Sequence, residues 1–184
     1  MISVRLTRHA ETRPGALRGI DARIAREPGG TLAVTYVLQG DLAQVRVPAP
    51  HPPRPGERLW EHTCCEIFIA RAGSAAYHEF NFAPSGEWAA YAFTRYREGA
   101  APADPSLEPR VSVRESTGKL ELDAVIRLDR LSPAHPGAAL SLGLSAVVEE
   151  KSGALGYWAI KHPAGRPDFH HPDSFALALD EVRA

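Results

Sequence analysis

The chain has 184 residues, 44% of them hydrophobic and 23% charged, with a formal net charge of −1. That length can bury one sizeable core, so a single globular domain over residues 1–184 is expected. The scatter of both charge signs argues against a basic nucleic-acid footprint or a membrane-surface helix, and no apolar run approaches the roughly 20 residues that cross a bilayer. The start, Met1 to His9, lacks the apolar block of a secretion signal, and a cytoplasmic location is expected.

In chain order, the first alternating apolar run is Leu32, Val34, Tyr36 and Leu38, entered from the turn residues Glu27-Pro28-Gly29-Gly30. Alternation at period two marks a strand with one buried face. A Pro-rich stretch, Pro48 to Pro55, then leads into Trp60.

The segment from Trp60 to Arg97 is the most specific in the chain. Successive strand side chains point to opposite faces. Cys65, Ile67 and Ile69 therefore share a core face, while Trp60, His62, Cys64, Glu66 and Phe68 share the other. The next run repeats the pattern, with His78, Phe80 and Phe82 against Tyr77, Glu79 and Asn81. Ala83-Pro84-Ser85-Gly86 carries turn chemistry, because Pro presets φ and Gly accepts positive φ, so a return strand is expected from Glu87 to about Arg95. A symmetric loop places Asn81 opposite Trp88 and Glu79 opposite Ala90. One surface then carries Tyr77, Glu79, Asn81 and Trp88 beside the small Ala90 and Ala92.

After a second Pro-rich stretch, Ala100 to Pro109, the turn Ser116-Thr117-Gly118-Lys119 precedes an alternation of Leu120, Leu122, Ala124, Ile126 and Leu128. Leu128 to Ala134 forms one helical turn at most. Leu140, Leu142, Leu144, Ala146 and Val148 alternate again, and Lys151-Ser152-Gly153 separates them from a strand around Tyr157. A third Pro-rich stretch, His162 to Pro172, leads to Phe175, Leu177 and Leu179. The class is all-β: a single antiparallel β-sandwich of roughly ten to twelve strands.

Adjacent Cys64 and Cys65 point apart in a strand, so they are expected as reduced thiols, with Cys65 in the core and Cys64 half-exposed. His170 and His171 beside Asp168 and Asp173 invite a metal reading. Neighbouring side chains of an extended segment diverge, however, and no metal site is assigned.

The run Leu59 to Phe68, followed by Glu79 to Gly86, resembles the DOMON-like superfamily, and more narrowly its MurB-like branch, whose relatives include the family 9 carbohydrate-binding modules. The likeness continues through Tyr96 to Gly99, Gly143 to Glu149, Tyr157 to Ala159, Pro167 to His171 and Ser174-Phe175, covering nearly the whole chain from about Ile20. It implies a non-catalytic domain that binds a small saccharide or sugar-derived ligand. In the sugar-binding relatives two aromatic rings clamp a sugar while Glu, Arg and Asn bind its hydroxyls. Trp60 and Glu66 match the first aromatic and its acid, whereas the loop before the last strand offers Phe169, His170 and His171 where the relatives have the second aromatic.

The resulting site comprises Trp60, Glu66, Glu79, Asn81, Trp88, Phe169 and His170, without a cofactor. Two other readings stay open. Haem binding meets the obstacle that the only Met is Met1, leaving bis-His or His–Lys ligation through residues such as His162 or Lys161. A glycoside-active enzyme would use Glu66 and Glu79 as an acid/base pair. No nucleophile elbow, phosphate loop or metal-helix motif accompanies them.

Overall fold

The computed structural model describes every residue except 14, 28, 100, 103, 104, 183 and 184. Pro28 of the first expected turn, and residues 100, 103 and 104 of the second Pro-rich stretch, thus lie outside the described residues.

Thirteen strands are described: β1 Ile2–Arg8, β2 Leu17–Glu27, β3 Thr31–Gly40, β4 Arg54–Pro55, β5 Cys64–Arg71, β6 Tyr77–Phe82, β7 Glu87–Phe93, β8 Ala101–Pro102, β9 Arg110–Ser116, β10 Lys119–Arg127, β11 Leu140–Glu149, β12 Leu155–Ala159 and β13 Leu177–Leu179. One helical turn, α1 at Leu128–Leu131, follows β10. Among the described residues no helix is long and apolar enough to cross a membrane.

The strands form two layers. One runs β4-β7-β6-β5-β11-β12 and the other β1-β2-β3-β10-β9. β1 belongs to both: Ile2 to Leu6 pair with β2, while Thr7 and Arg8 pair with β12. Every long pairing is antiparallel, and β4 beside β7 is parallel.

Alternation dictates what lies between the layers. Ile20, Ile24, Leu32, Tyr36, Leu38, Leu120 and Leu122 from one sheet meet Ile67, Ile69, Phe80, Phe82, Leu142 and Leu144 from the other in one apolar cluster. Burying each such side chain stabilises the fold by about 1.5–3 kcal/mol. The Tyr36 hydroxyl crosses this core and donates to the backbone carbonyl of Glu66. Its own polar atom is thereby satisfied, and β5 is pinned to the opposite layer.

The sheet that carries β5 is buried on its outer side as well. Phe68, Ala70, Tyr77, Phe93, Val147, Ala159 and Phe169 form a second cluster, roofed by the segment 161–176. A third, Leu59, Cys64, Ala83 and Ala89, lies beside it. Cys64, expected to be half-exposed, is fully buried, because it packs in a cluster with Leu59, Ala83 and Ala89. Both cysteines are free thiols.

Candidate ligand-binding site

The β6–β7 hairpin closes through three loop residues, Pro84, Ser85 and Gly86. Ala83 N–H donates to Glu87 O at 2.8 Å and Gly86 N–H to Ala83 O at 3.0 Å. Gly86 has φ 96°, and a Cβ there would sit 2.7 Å from His51 O, so glycine is required twice over. This loop is one residue longer than the symmetric closure assumed from sequence. A one-residue change in register turns every side chain of the return strand over. Asn81 therefore faces Ala89, Glu79 faces Tyr91 and Phe82 faces Trp88.

The outer face of the sheet can then be read across its strands. Tyr91 on β7, Glu79 on β6, Glu66 on β5, Val147 on β11 and Tyr157 on β12 line a single cavity of about 480 Å³. Trp60 stands at its mouth, and Pro167, Phe169 and His170 wall the side formed by the covering segment. Aromatic rings thus flank two central carboxyls. Trp60 meets Tyr91 edge-on, centroids 5.7 Å apart, and Tyr157 lies 6.2 Å from Phe169. Small residues leave room beside the acids: Ala89 pairs with Asn81, and Ala159 with Ser145.

Trp60 reaches the mouth by a different route from the one expected. It lies in a 3-10 turn, Leu59–Glu61, ahead of the strand, entered through Arg58 at φ 53°. Leu59 is buried and anchors the turn, while Trp60 next to it keeps 42% of its surface exposed. His62, expected on the same face as Glu66, instead contacts Glu149 at 2.8 Å.

The floor is polar and buried. Glu66 is 2% exposed, Glu79 5% and Asn81 fully buried. Ser145 Oγ donates to Glu66 Oε2 at 3.2 Å, and Asn81 Nδ2 donates to Glu79 Oε1 at 2.8 Å. Burial pushes the Glu66 carboxyl well above the usual range, with the nearby Glu79 adding to it and the Ser145 hydrogen bond opposing. Burial also lifts Glu79 to about 7, against the pull of Asn81 and Arg97.

His170 shows how the cavity wall is wired. The Tyr77 hydroxyl accepts from the Arg97 backbone N–H at 3.1 Å and lies 2.8 Å from His170 Nδ1. Donation of the phenol proton to Nδ1 assigns the imidazole proton to Nε2, which lies 3.6 Å from Glu79 Oε2. Burial, with Arg97 nearby, lowers His170 to about 4. Between about pH 4 and 7 the His170–Glu79 contact is therefore between two neutral groups.

Arg97, a cavity-lining cation, is engaged elsewhere. Its guanidinium donates to Asp168 Oδ1 at 2.8 Å, and Asp168 Oδ2 accepts from the Tyr96 hydroxyl at 2.6 Å. Asp168 Oδ1 also accepts from His170 N–H at 3.1 Å. One carboxylate thus ties the β7–β8 connection to the covering segment.

Of the residues expected at the site, Trp60, Glu66, Glu79, Phe169 and His170 come together around the cavity. Asn81 lies buried beside the two acids and orients Glu79. Trp88 does not join them. It is 4% exposed within the central core, on the opposite face of β7, because of the longer turn. Tyr91, Phe93, Arg97 and Tyr157 line the cavity and were not anticipated. Counting the hairpin from a three-residue Pro-Ser-Gly loop would have found Tyr91 and Phe93, but nothing local marks Arg97. His171 points away from His170 and caps a 3-10 turn by accepting from Asp173 N–H. Among the described residues, no group of three or more His, Cys, Asp or Glu is placed to hold a metal ion.

A scan against protein-family models finds no match, and a search of curated proteins finds none either. Solved structures do match. A candidate carbohydrate-binding protein from Bacteroides uniformis superposes with TM-score 0.71 at 18% identity, covering 94% of this chain and 83% of that one. A family 9 carbohydrate-binding module from Caldicellulosiruptor kristjanssonii, solved with glucose, gives TM-score 0.50 at 10% identity over 80% of this chain and 69% of the module. The fold is thus that of carbohydrate-binding β-sandwiches.

Proposed function

We propose that this chain is a non-catalytic binding domain of the DOMON-like, MurB-like type, and that the cavity on the outer face of β5, β6, β7, β11 and β12 takes a small saccharide. The observation that carries the reading is the row of side chains across the sheet: rings at each flank, Tyr91 with Trp60 and Tyr157 with Phe169, and carboxyls between them. A sugar presents an apolar C–H face and a fringe of hydroxyls. Rings take the first, and buried acceptors or donors take the second. The volume, about 480 Å³, lies within the range of small-molecule sites. The likeness of the fold to carbohydrate-binding structures supports the same reading.

The test is a glycan and monosaccharide screen read by calorimetry, repeated with Trp60→Ala and Glu66→Gln. Saccharide binding that each substitution weakens, with the thermal midpoint of Trp60→Ala unchanged, is the expected result. Binding left intact by both substitutions, or no saccharide bound at all, would overturn it.

A further inference from the structure

Four features of the cavity concern charge rather than shape, and together they narrow the ligand beyond a sugar. First, its walls are aromatic, and ring faces carry the negative side of a quadrupole that attracts cations. Second, its floor holds two carboxyls, Glu66 and Glu79, on adjacent strands. Third, the cation that lines it, Arg97, already faces Asp168, and His170 is held neutral by burial. Fourth, Asn81 Oδ1 is buried without a hydrogen-bond partner among the described residues, on the same face as Glu79 and directly across the ladder from Glu66. The floor is rich in acceptors and poor in cations.

We propose that the ligand carries a protonated amine, as an amino sugar does, with its ammonium group against Glu66 and Glu79 and its ring between Trp60, Tyr91 and Tyr157. This rests on the saccharide-binding reading above and names the class of sugar. An ammonium group brings three donors and a full charge, whereas a hydroxyl brings one donor and none. Charge-assisted hydrogen bonds to carboxylates are roughly twice as strong as neutral ones. The Asn81 amide donates to Glu79 and so holds that carboxyl in place at the floor.

Occupation by a cation has a proton signature. Cys64, Tyr77, Tyr91, Tyr157, Arg97 and His170 face the two acids from the surrounding elements, and Asp168 stands behind Arg97. Burial raises Cys64, Tyr77 and Tyr91 and lowers His170 to about 4, while Arg97 and Tyr96 hold Asp168 low. Glu79, near 7, and Glu66 above its usual range are the groups an entering cation would deprotonate. Each carboxyl that ionises releases its proton to solvent.

The experiment is titration calorimetry at about pH 6.5 of the whole chain with monoamino sugars, their parent hydroxyl sugars and their N-acetyl derivatives, in two buffers of different ionisation enthalpy. The expected result is at least one amino sugar binding tenfold or more tighter than both its parent and its N-acetyl form, with proton release, and a preference that collapses in Glu79→Gln. If the substitution fails to fold, the buffer comparison on the native chain still decides through the sign of proton exchange. Neutral sugars binding as tightly as every amino sugar, or amine binding without proton release, would overturn the inference while leaving saccharide binding intact. Binding of no sugar of any kind would overturn both.

Discussion

Asp168 holds Arg97 at 2.8 Å while its other oxygen takes the Tyr96 hydroxyl, so a cation at the cavity edge is committed to the covering segment and not to the floor. The same residue receives the His170 N–H, and its own carbonyl accepts from Ser174 Oγ at 3.0 Å. Four contacts on one residue fix where Phe169 and His170 stand.

Replacing Asp168 by Ala should therefore disturb the cavity in a defined way. The freed Arg97 would turn toward Glu66 and Glu79, and a nearby positive charge favours the carboxylate. Carbon-detected NMR titration should show the Glu79 pKa falling below about 7. An unchanged value would show that Arg97 stays in place without its partner.

Trp60 and Trp88 make a contrasting pair. Trp60→Ala removes an exposed ring at the mouth and should weaken saccharide binding by about 1–3 kcal/mol with little change in stability. Trp88→Ala removes a core ring and should cost about 3–5 kcal/mol of folding free energy, read by denaturant titration. Equal losses of stability in both would contradict their placement.

At the cavity wall, Glu79 and His170 push the pH dependence of stability in opposite directions. Glu79 is raised in the folded state, so its contribution is fully present below about pH 4.5 and is lost as pH rises through about 7. His170 is lowered, so its contribution is present above about 6.5 and is lost as pH falls toward about 4. The two oppose each other between about 4.5 and 6.5. Denaturant titrations across this range should show the stability of the native chain, relative to Glu79→Gln, falling as pH rises; a native chain that gains stability on the variant as pH rises would reverse the assignment.

Both thiols are buried, and burial pushes both upward, with added repulsion from Glu66. A thiol reagent that needs the thiolate should label neither in the folded chain and both in denaturant. Labelling of Cys64 in the folded chain at the rate of a free thiol would show that its cluster with Leu59 does not cover it.

Much of the fold was legible because period-two alternation is a direct record of burial. The runs at Leu32 and Leu140 are β3 and β11, and the run at Leu120 is β10 as far as Ile126, with Leu128 opening α1. What failed was finer. Phe175 precedes β13 instead of joining it, since the 3-10 turn Pro172–Ser174 ends on it. Trp88 went to the wrong face because turn residues mark a hairpin without stating its length, and one residue decides the side. Alternation puts Glu66 and Glu79 on the outer face where they are found, yet it carries no sign that this side is roofed. That roof comes from residues about 90 positions later, through contacts such as Tyr77 to His170. Arg97 joins the cavity through a pairing with Asp168 that spans 71 positions, which no local pattern encodes.

The first strand lends its early residues to one layer and its last two to the other. The two layers are in consequence a single unbroken hydrogen-bonded ladder, and β1 is its mechanical clasp. A load applied along β1 acts on both sets of bonds, and the partner of β1 in the far layer is β12, which carries the Tyr157 flank of the cavity.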